Sequence, residues 1–161
     1  METAWDSELA AFLSDLSAVQ SESLELLTRK REMLVQADAV GLASLGGEEE
    51  RLIEKLQGCL MRREDLLHRA AEEGRPAGSI RQLAESLPQA ERKRLAAEAA
   101  QAASRTRILQ HHSLTNWVII QKTLIHLSQM VEIIATGGQL KPTYGKDEST
   151  CSTGGLVNQV G

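Results

Sequence analysis

Aromatic side chains are almost missing: Trp5, Phe12, Trp117 and Tyr144 make up about 2 % of 161 residues. Sheets and thick globular cores draw on aromatic and β-branched residues, so this scarcity argues against a sheet protein. A disulfide framework is lacking too. Cys59 falls on the apolar face of a predicted helix, where a thiol behaves as a small hydrophobe, and Cys151 lies in a polar tail. That usage suits a reducing compartment. The first residues show no basic stretch followed by an apolar run, so no signal peptide is expected. The most apolar segment, residues 117–134, is interrupted by Gln121, Lys122, His126, Gln129 and Glu132. It reads as amphipathic rather than membrane-inserted, and the expected location is cytoplasmic.

Positive charge is absent from the first 28 residues, which carry Glu2, Asp6, Glu8, Asp15, Glu22 and Glu25. Arg92, Lys93, Arg94, Arg105, Arg107 and Lys122 come much later, within a net charge of −4. The asymmetry predicts an acidic first helix lying against a basic last one. It does not predict a nucleic-acid surface, which needs a denser basic face with aromatics or a recognised motif. Catalytic chemistry finds no foothold. There is no Walker, Rossmann or nucleophile-elbow pattern. His111 and His112 are neighbours that point about 100° apart on a helix, so they cannot share a metal. His68 and His126 stand alone in the sequence, and Glu48, Glu49 and Glu50 fan out around a helix. No catalytic, cofactor or metal site is assigned.

What is present is leucine and alanine at helical spacing. Leu9, Phe12, Leu13, Leu16, Val19, Leu26, Leu27, Met33, Leu34 and Ala37 fit a seven-residue repeat with polar defects at Ser23 and Lys30. The repeat predicts a helix over 5–36 that packs at a shallow crossing angle. Arg29, Lys30 and Arg31 read as a solvated collar. Asp38 can cap a second helix, 39–73, whose repeat uses Leu42, Leu45, Leu52, Ile53, Leu56, Cys59, Leu60, Leu66, Leu67 and Ala70. Gly46 and Gly47 weaken its first turns, so a firm start at Glu48 or a break from the first helix both remain open. Gly74, Pro76 and Gly78 mark a clear interruption. Ser79 caps a short helix, 80–87, which Pro88 ends. The last helix, 89–135, would extend about 70 Å at 1.5 Å per residue. The expected fold is all-α: an elongated antiparallel bundle of three long helices and one short connector. Residues 1–136 form the helical domain, and 137–161 are too polar to offset ordering entropy and form a flexible tail.

The strongest apolar seam is Trp117, Ile120, Leu124, Leu127, Val131 and Ile134, spaced by threes and fours on one stripe. Val118, Ile119, Ile125 and Ile133 widen it beyond a coiled-coil seam. Its inner edge is read as bundle core, and the excess suits an amphipathic partner helix docked in a groove. Asn116 at the head of the seam either fixes helix register or makes a polar contact with that guest. Tyr144, alone in a polar tail, has the form of an anchor in a linear docking motif.

The order of parts resembles the FlgN family. The resemblance rests on the first heptad helix leading into Arg31-Glu32-Met33-Leu34, then on Asp38 and Leu42-Ala43-Ser44-Leu45. It continues through the Leu-rich second helix to Leu66-Leu67 and the Pro/Gly break. The long final helix with Asn116 and its apolar run closes on Ala135-Thr136-Gly137, with Thr143-Tyr144-Gly145 beyond. Ser113 stands where the family often has an asparagine, and Gly46-Gly47 interrupts an expected helix. The resemblance implies a cytoplasmic export chaperone of flagellar type III secretion whose clients are hook-associated, hook–filament junction proteins. Client contact would fall on Asn116, Trp117, Ile120, Leu124, Leu127, Val131 and Ile134. Tyr144 would dock on the cytoplasmic domain of the export-gate membrane protein, with the chaperone a monomer or homodimer and no cofactor. The alternative is a coiled-coil scaffold that self-associates through the same stripe.

Overall fold

The computed structural model of the chain describes residues 2–136. Among them lie five helices and no strand: α1 (Glu2–Val35), α2 (Ala39–Ser44), α3 (Gly46–Glu72), α4 (Ile80–Glu85) and α5 (Gln89–Thr136). The protein is all-α, as its composition predicts. The chain divides into two compact units, Met1–Thr123 and Leu124–Gly161. Tyr144, Cys151 and the predicted flexible tail fall outside the described residues.

Local chemistry explains most of the boundaries. After α1, Ala37 takes a left-handed φ of 55°. Its N–H donates to the Leu34 carbonyl (3.3 Å) and the Asp38 N–H to the Met33 carbonyl (2.9 Å), a Schellman closure. Asp38 then accepts a hydrogen bond from the Gly41 N–H at 2.8 Å and caps α2. Ala37, read from the sequence as a core position, is instead the turn residue. The single helix expected over 39–73 is in fact α2 and α3, meeting at Leu45. There the bonding tightens from four-residue to three-residue steps: Leu45 N–H to Leu42, and Glu48 N–H to Leu45. Leu45 is buried with Val19, Leu26 and Leu52 and anchors the junction, while a Cβ on Gly46 or Gly47 would meet open space. Gly74, with φ 70°, repeats the Schellman closure at the end of α3, and Ser79 caps α4 by accepting from the Gln82 N–H at 3.1 Å.

Within the first unit, α1 and α3 run antiparallel, joined by a ladder of ion pairs at heptad intervals. Glu8, Asp15, Glu22 and Arg29 face Arg69, Arg62, Lys55 and Glu48 in turn, with Asp15–Arg62 at 2.7 Å and Glu22–Lys55 at 2.6 Å. Lys30 pairs with Glu49 beside it. The acidic face of α1 therefore meets basic residues of α3. The expectation that it would meet α5 is overturned, because α5 spends Arg94 on its own Glu91 and Glu98 and turns Arg105 to the Ser17 hydroxyl.

Two apolar clusters hold this unit. The larger joins Trp5, Leu9, Phe12 and Leu13 of α1 to Leu66 and Ala70 of α3, to Ile80, Leu83, Ala84 and Leu87 around α4, and to Leu95, Ala99 and Ala102 of α5. Fully burying one such leucine stabilises the fold by about 1.5–3 kcal/mol. Trp5 also donates its Nε1–H to Glu73 (2.7 Å) while the Arg69 and Arg75 guanidinium groups lie over its ring. The second cluster, Val19, Leu26, Leu45 and Leu52, takes nothing from α5. Beyond Ala102, α5 is held to α1 by polar contacts instead. Gln20 donates to the Ala102 carbonyl (2.9 Å) and to Thr106 (3.0 Å), and Asn116 donates to the Leu27 carbonyl (2.9 Å).

Candidate functional site

The seam residues predicted on α5 do not share one environment. Asn116 is 3 % exposed and gives its Nδ2–H to the Leu27 carbonyl of α1. That bond matches the register role read from the sequence. The Asn116 Oδ1 is buried without a hydrogen-bond partner in the protein. Ile120 is partly buried, and Trp117 is 57 % exposed.

In the second unit, described over residues 124–136, apolar residues lie open. Leu124, Ile125, Leu127, Met130, Val131, Ile133 and Ile134 are each half or more exposed. At 100° per residue, Leu124, Leu127, Val131 and Ile134 fall within an arc of about 80°. His126, Gln129 and Glu132 fall on the opposite side of the helix. By length and composition alone α5 contains an 18-residue window, mean hydropathy 1.3, that would cross a membrane. Ile125 and Ile133 lie among His126, Gln129 and Glu132, so that side is mixed and the stripe is the uniformly apolar one.

The first unit carries a second uncovered apolar surface, which the periodicity of α3 alone does not reveal. Ile53, Leu56 and Leu60 were read as bundle core, but all three are exposed on α3. They form one wall of a trough whose floor is α1 and whose far wall is α5. One cleft, about 460 Å³, is lined by Phe12, Leu16, Leu56, Leu60, Ala103 and Thr106 among others. The next, about 340 Å³, is lined by Leu26, Ile53, Leu56, Leu109 and Ser113 among others. They meet at Leu56. The signal that would have found the trough is the composition of the facing wall: Ala99, Ala102, Ala103 and Thr106 are too small to reach across to α3.

Titratable groups add little chemistry. Arg31 lies 2.6 Å from His112 Nδ1; burial, then the Arg31 charge, lowers the His112 pKa from its usual value. Burial, aided by Asp15 and opposed by Arg62, raises the Cys59 thiol pKa and keeps it protonated at neutral pH. Among the described residues no group of three or more His, Cys, Asp or Glu could hold a metal ion.

Both surfaces are uncovered apolar faces of helices. No curated protein and no solved structure matches the chain. A family model does: FlgN protein, over residues 1–151. With nearly the whole length matched, the chain belongs to the FlgN family of flagellar export chaperones.

Proposed function

We propose that this chaperone works in the cytoplasm and covers the C-terminal amphipathic helix of a hook–filament junction protein, preventing premature assembly before export. The observation that supports this is the open apolar face of residues 124–134, where Leu124, Leu127, Val131 and Ile134 stand in solvent on one side of a helix. Trp117 and Ile120 continue the same spacing toward the N-terminus of α5. An exposed apolar helix face is costly in water and is retained where a partner will cover it. The guest brings a matching stripe, and His126, Gln129 and Glu132 on the other side, beside Ile125 and Ile133, keep the complex hydrated. Binding needs no nucleotide, cofactor or membrane insertion.

The test is calorimetric titration of a client C-terminal peptide into the full chain and into Leu124→Ala/Leu127→Ala. Two truncated contact leucines weaken binding at least about tenfold, since anchor truncations typically cost more than about 1 kcal/mol each. Circular dichroism should show nearly unchanged helicity. Equal affinities for variant and parent would remove the reading.

Delivery is assigned to Tyr144, which matches the tail tyrosine of the family and would anchor on the cytoplasmic domain of the export-gate membrane protein. Tyr144→Ala is expected to keep client affinity and to lose gate binding in a pull-down with that domain. Retained gate binding would leave Tyr144 without a role.

A further inference from the structure

Within the first unit, α5 changes character at Ala102. Residues 89–102 are drawn only from Ala, Leu, Arg, Lys, Gln and Glu, the strongest helix formers. In residues 104–123 more than half the positions are β-branched or Ser, His or Asn, which favour a helix less. Thr106, Thr115 and Thr123 turn their hydroxyls back onto the carbonyls four residues earlier, a bond that slightly weakens a helix. Packing changes at the same point. Leu95, Ala99 and Ala102 belong to the larger apolar cluster, whereas Leu109, Ile119 and Ile120 are only partly buried.

The attachment of residues 104–123 to α1 is correspondingly thin. Its polar ties are single hydrogen bonds: Gln20 to Thr106, Arg105 to Ser17, Arg31 to His112 and Asn116 to Leu27. Among the described residues no ion pair joins this segment to α1 or α3, in contrast to the five that join α1 to α3. The seam is also imperfectly paired. Gln20 Oε1 and Asn116 Oδ1 are buried with no donor from the protein, and Arg31 Nε with no acceptor. Such groups cost free energy while the seam is closed and are relieved when it opens to water. Hollows flank the contact line on both sides. On one lies a cleft of about 700 Å³ between Ser14 and Ser17 of α1 and Arg94, Glu98 and Arg105 of α5; on the other lies the trough.

We propose that residues 104–123 are a strap that opens from α1 as a unit, while residues 89–102 and the α1–α3 pair stay folded. Opening uncovers the α1 face from Gln20 to Arg31 and joins the hollows on either side into one groove over α1 and α3. A segment of about 20 residues without its support is only marginally helical in water, so its amides exchange when it lifts. The proposal does not depend on the client assignment, because its test uses the protein alone.

Native-state hydrogen exchange of the full chain, read residue by residue by NMR at increasing sub-denaturing urea, is the experiment. After correction for intrinsic rates, amides of residues 107–123 should exchange at least about 100-fold faster than those of 95–102. Their exchange should depend little on urea, since opening the strap exposes a small part of what global unfolding exposes. Leu109→Ala trims an apolar contact of the strap, beside Leu26 and Leu52, without removing a polar tie. It should speed exchange in 107–123 by about tenfold and leave residues 95–102, and residues 9–31 of α1, unchanged. Equal protection of the two α5 segments, or a variant that accelerates both alike, would mean that α5 opens only with the whole fold and would overturn the proposal. Protection that decays smoothly from residue 95 onward, with no step after Ala102, would overturn it too, as ordinary fraying of a helix end.

Discussion

Ala37 holds a left-handed backbone at the end of α1, where its Cβ is a liability. An L-residue in that region costs about 1–2 kcal/mol. The corresponding position after α3 is filled by Gly74, which avoids the cost. Ala37→Gly should therefore raise stability. The gain is the relieved strain less the larger unfolded-state entropy of glycine, a net of roughly 0.5–1 kcal/mol. In urea denaturation the midpoint should move up with an unchanged m-value; a lower midpoint would show that Ala37 makes compensating contacts. The same residue limits what sequence can reveal. Asp38 and Ser79 were legible as caps because a carboxylate or hydroxyl before an apolar run has one local use. Ala37 carries no such mark. Its conformation is imposed by the two hydrogen bonds that close α1, and those depend on where the chain must go next.

At the scale of helices, heptad spacing located the three long elements, because repeats of three and four report a buried face whatever lies opposite. Partner choice was not legible. The acidic start of α1 was expected to meet α5 but meets α3, and only the ladder of Glu8, Asp15, Glu22 and Arg29 against Arg69, Arg62, Lys55 and Glu48 shows why. The sign reverses at the last rung. Sliding α3 by one heptad in one direction sets Glu22 against Glu48; sliding it in the other sets Arg29 against Lys55. Either slip loses pairs and creates a like-charge contact, so the ladder selects register more than it adds stability. Exposed pairs contribute only about 0.2–1 kcal/mol each. Glu22→Lys should then destabilise by about 1 kcal/mol, by losing one pair and opposing Lys55. Adding Lys55→Glu should recover most of it. Both effects should shrink in molar salt, as screening predicts for exposed charges. A double variant no more stable than the single one would mean that the pair is incidental.

For the whole molecule the decisive property is which apolar surface stays uncovered, and periodicity is blind to it. Ile53, Leu56 and Leu60 keep the same spacing as Leu66 and Ala70, yet only the latter are enclosed, because burial depends on the bulk of the opposing helix and not on the pattern of one's own. Beyond Ala102 the described part of α5 buries Asn116 alone, and residues 124–135 bury nothing. Stability and binding should therefore separate along the chain. A protein ending at Thr123 is compared with one ending at Thr136, so that the difference reports the intervening residues. The monomeric fold of the two should melt within a few degrees, since a change of 1 kcal/mol moves the midpoint of a domain this size by roughly 4–8 °C or less. Measuring both at the same low concentration, without client, keeps binding linkage from shifting either midpoint. The shorter protein should also lose affinity for a client helix. If it melts far lower instead, residues 124–136 support the fold. Their exposure could then no longer be read as a surface kept open for a partner.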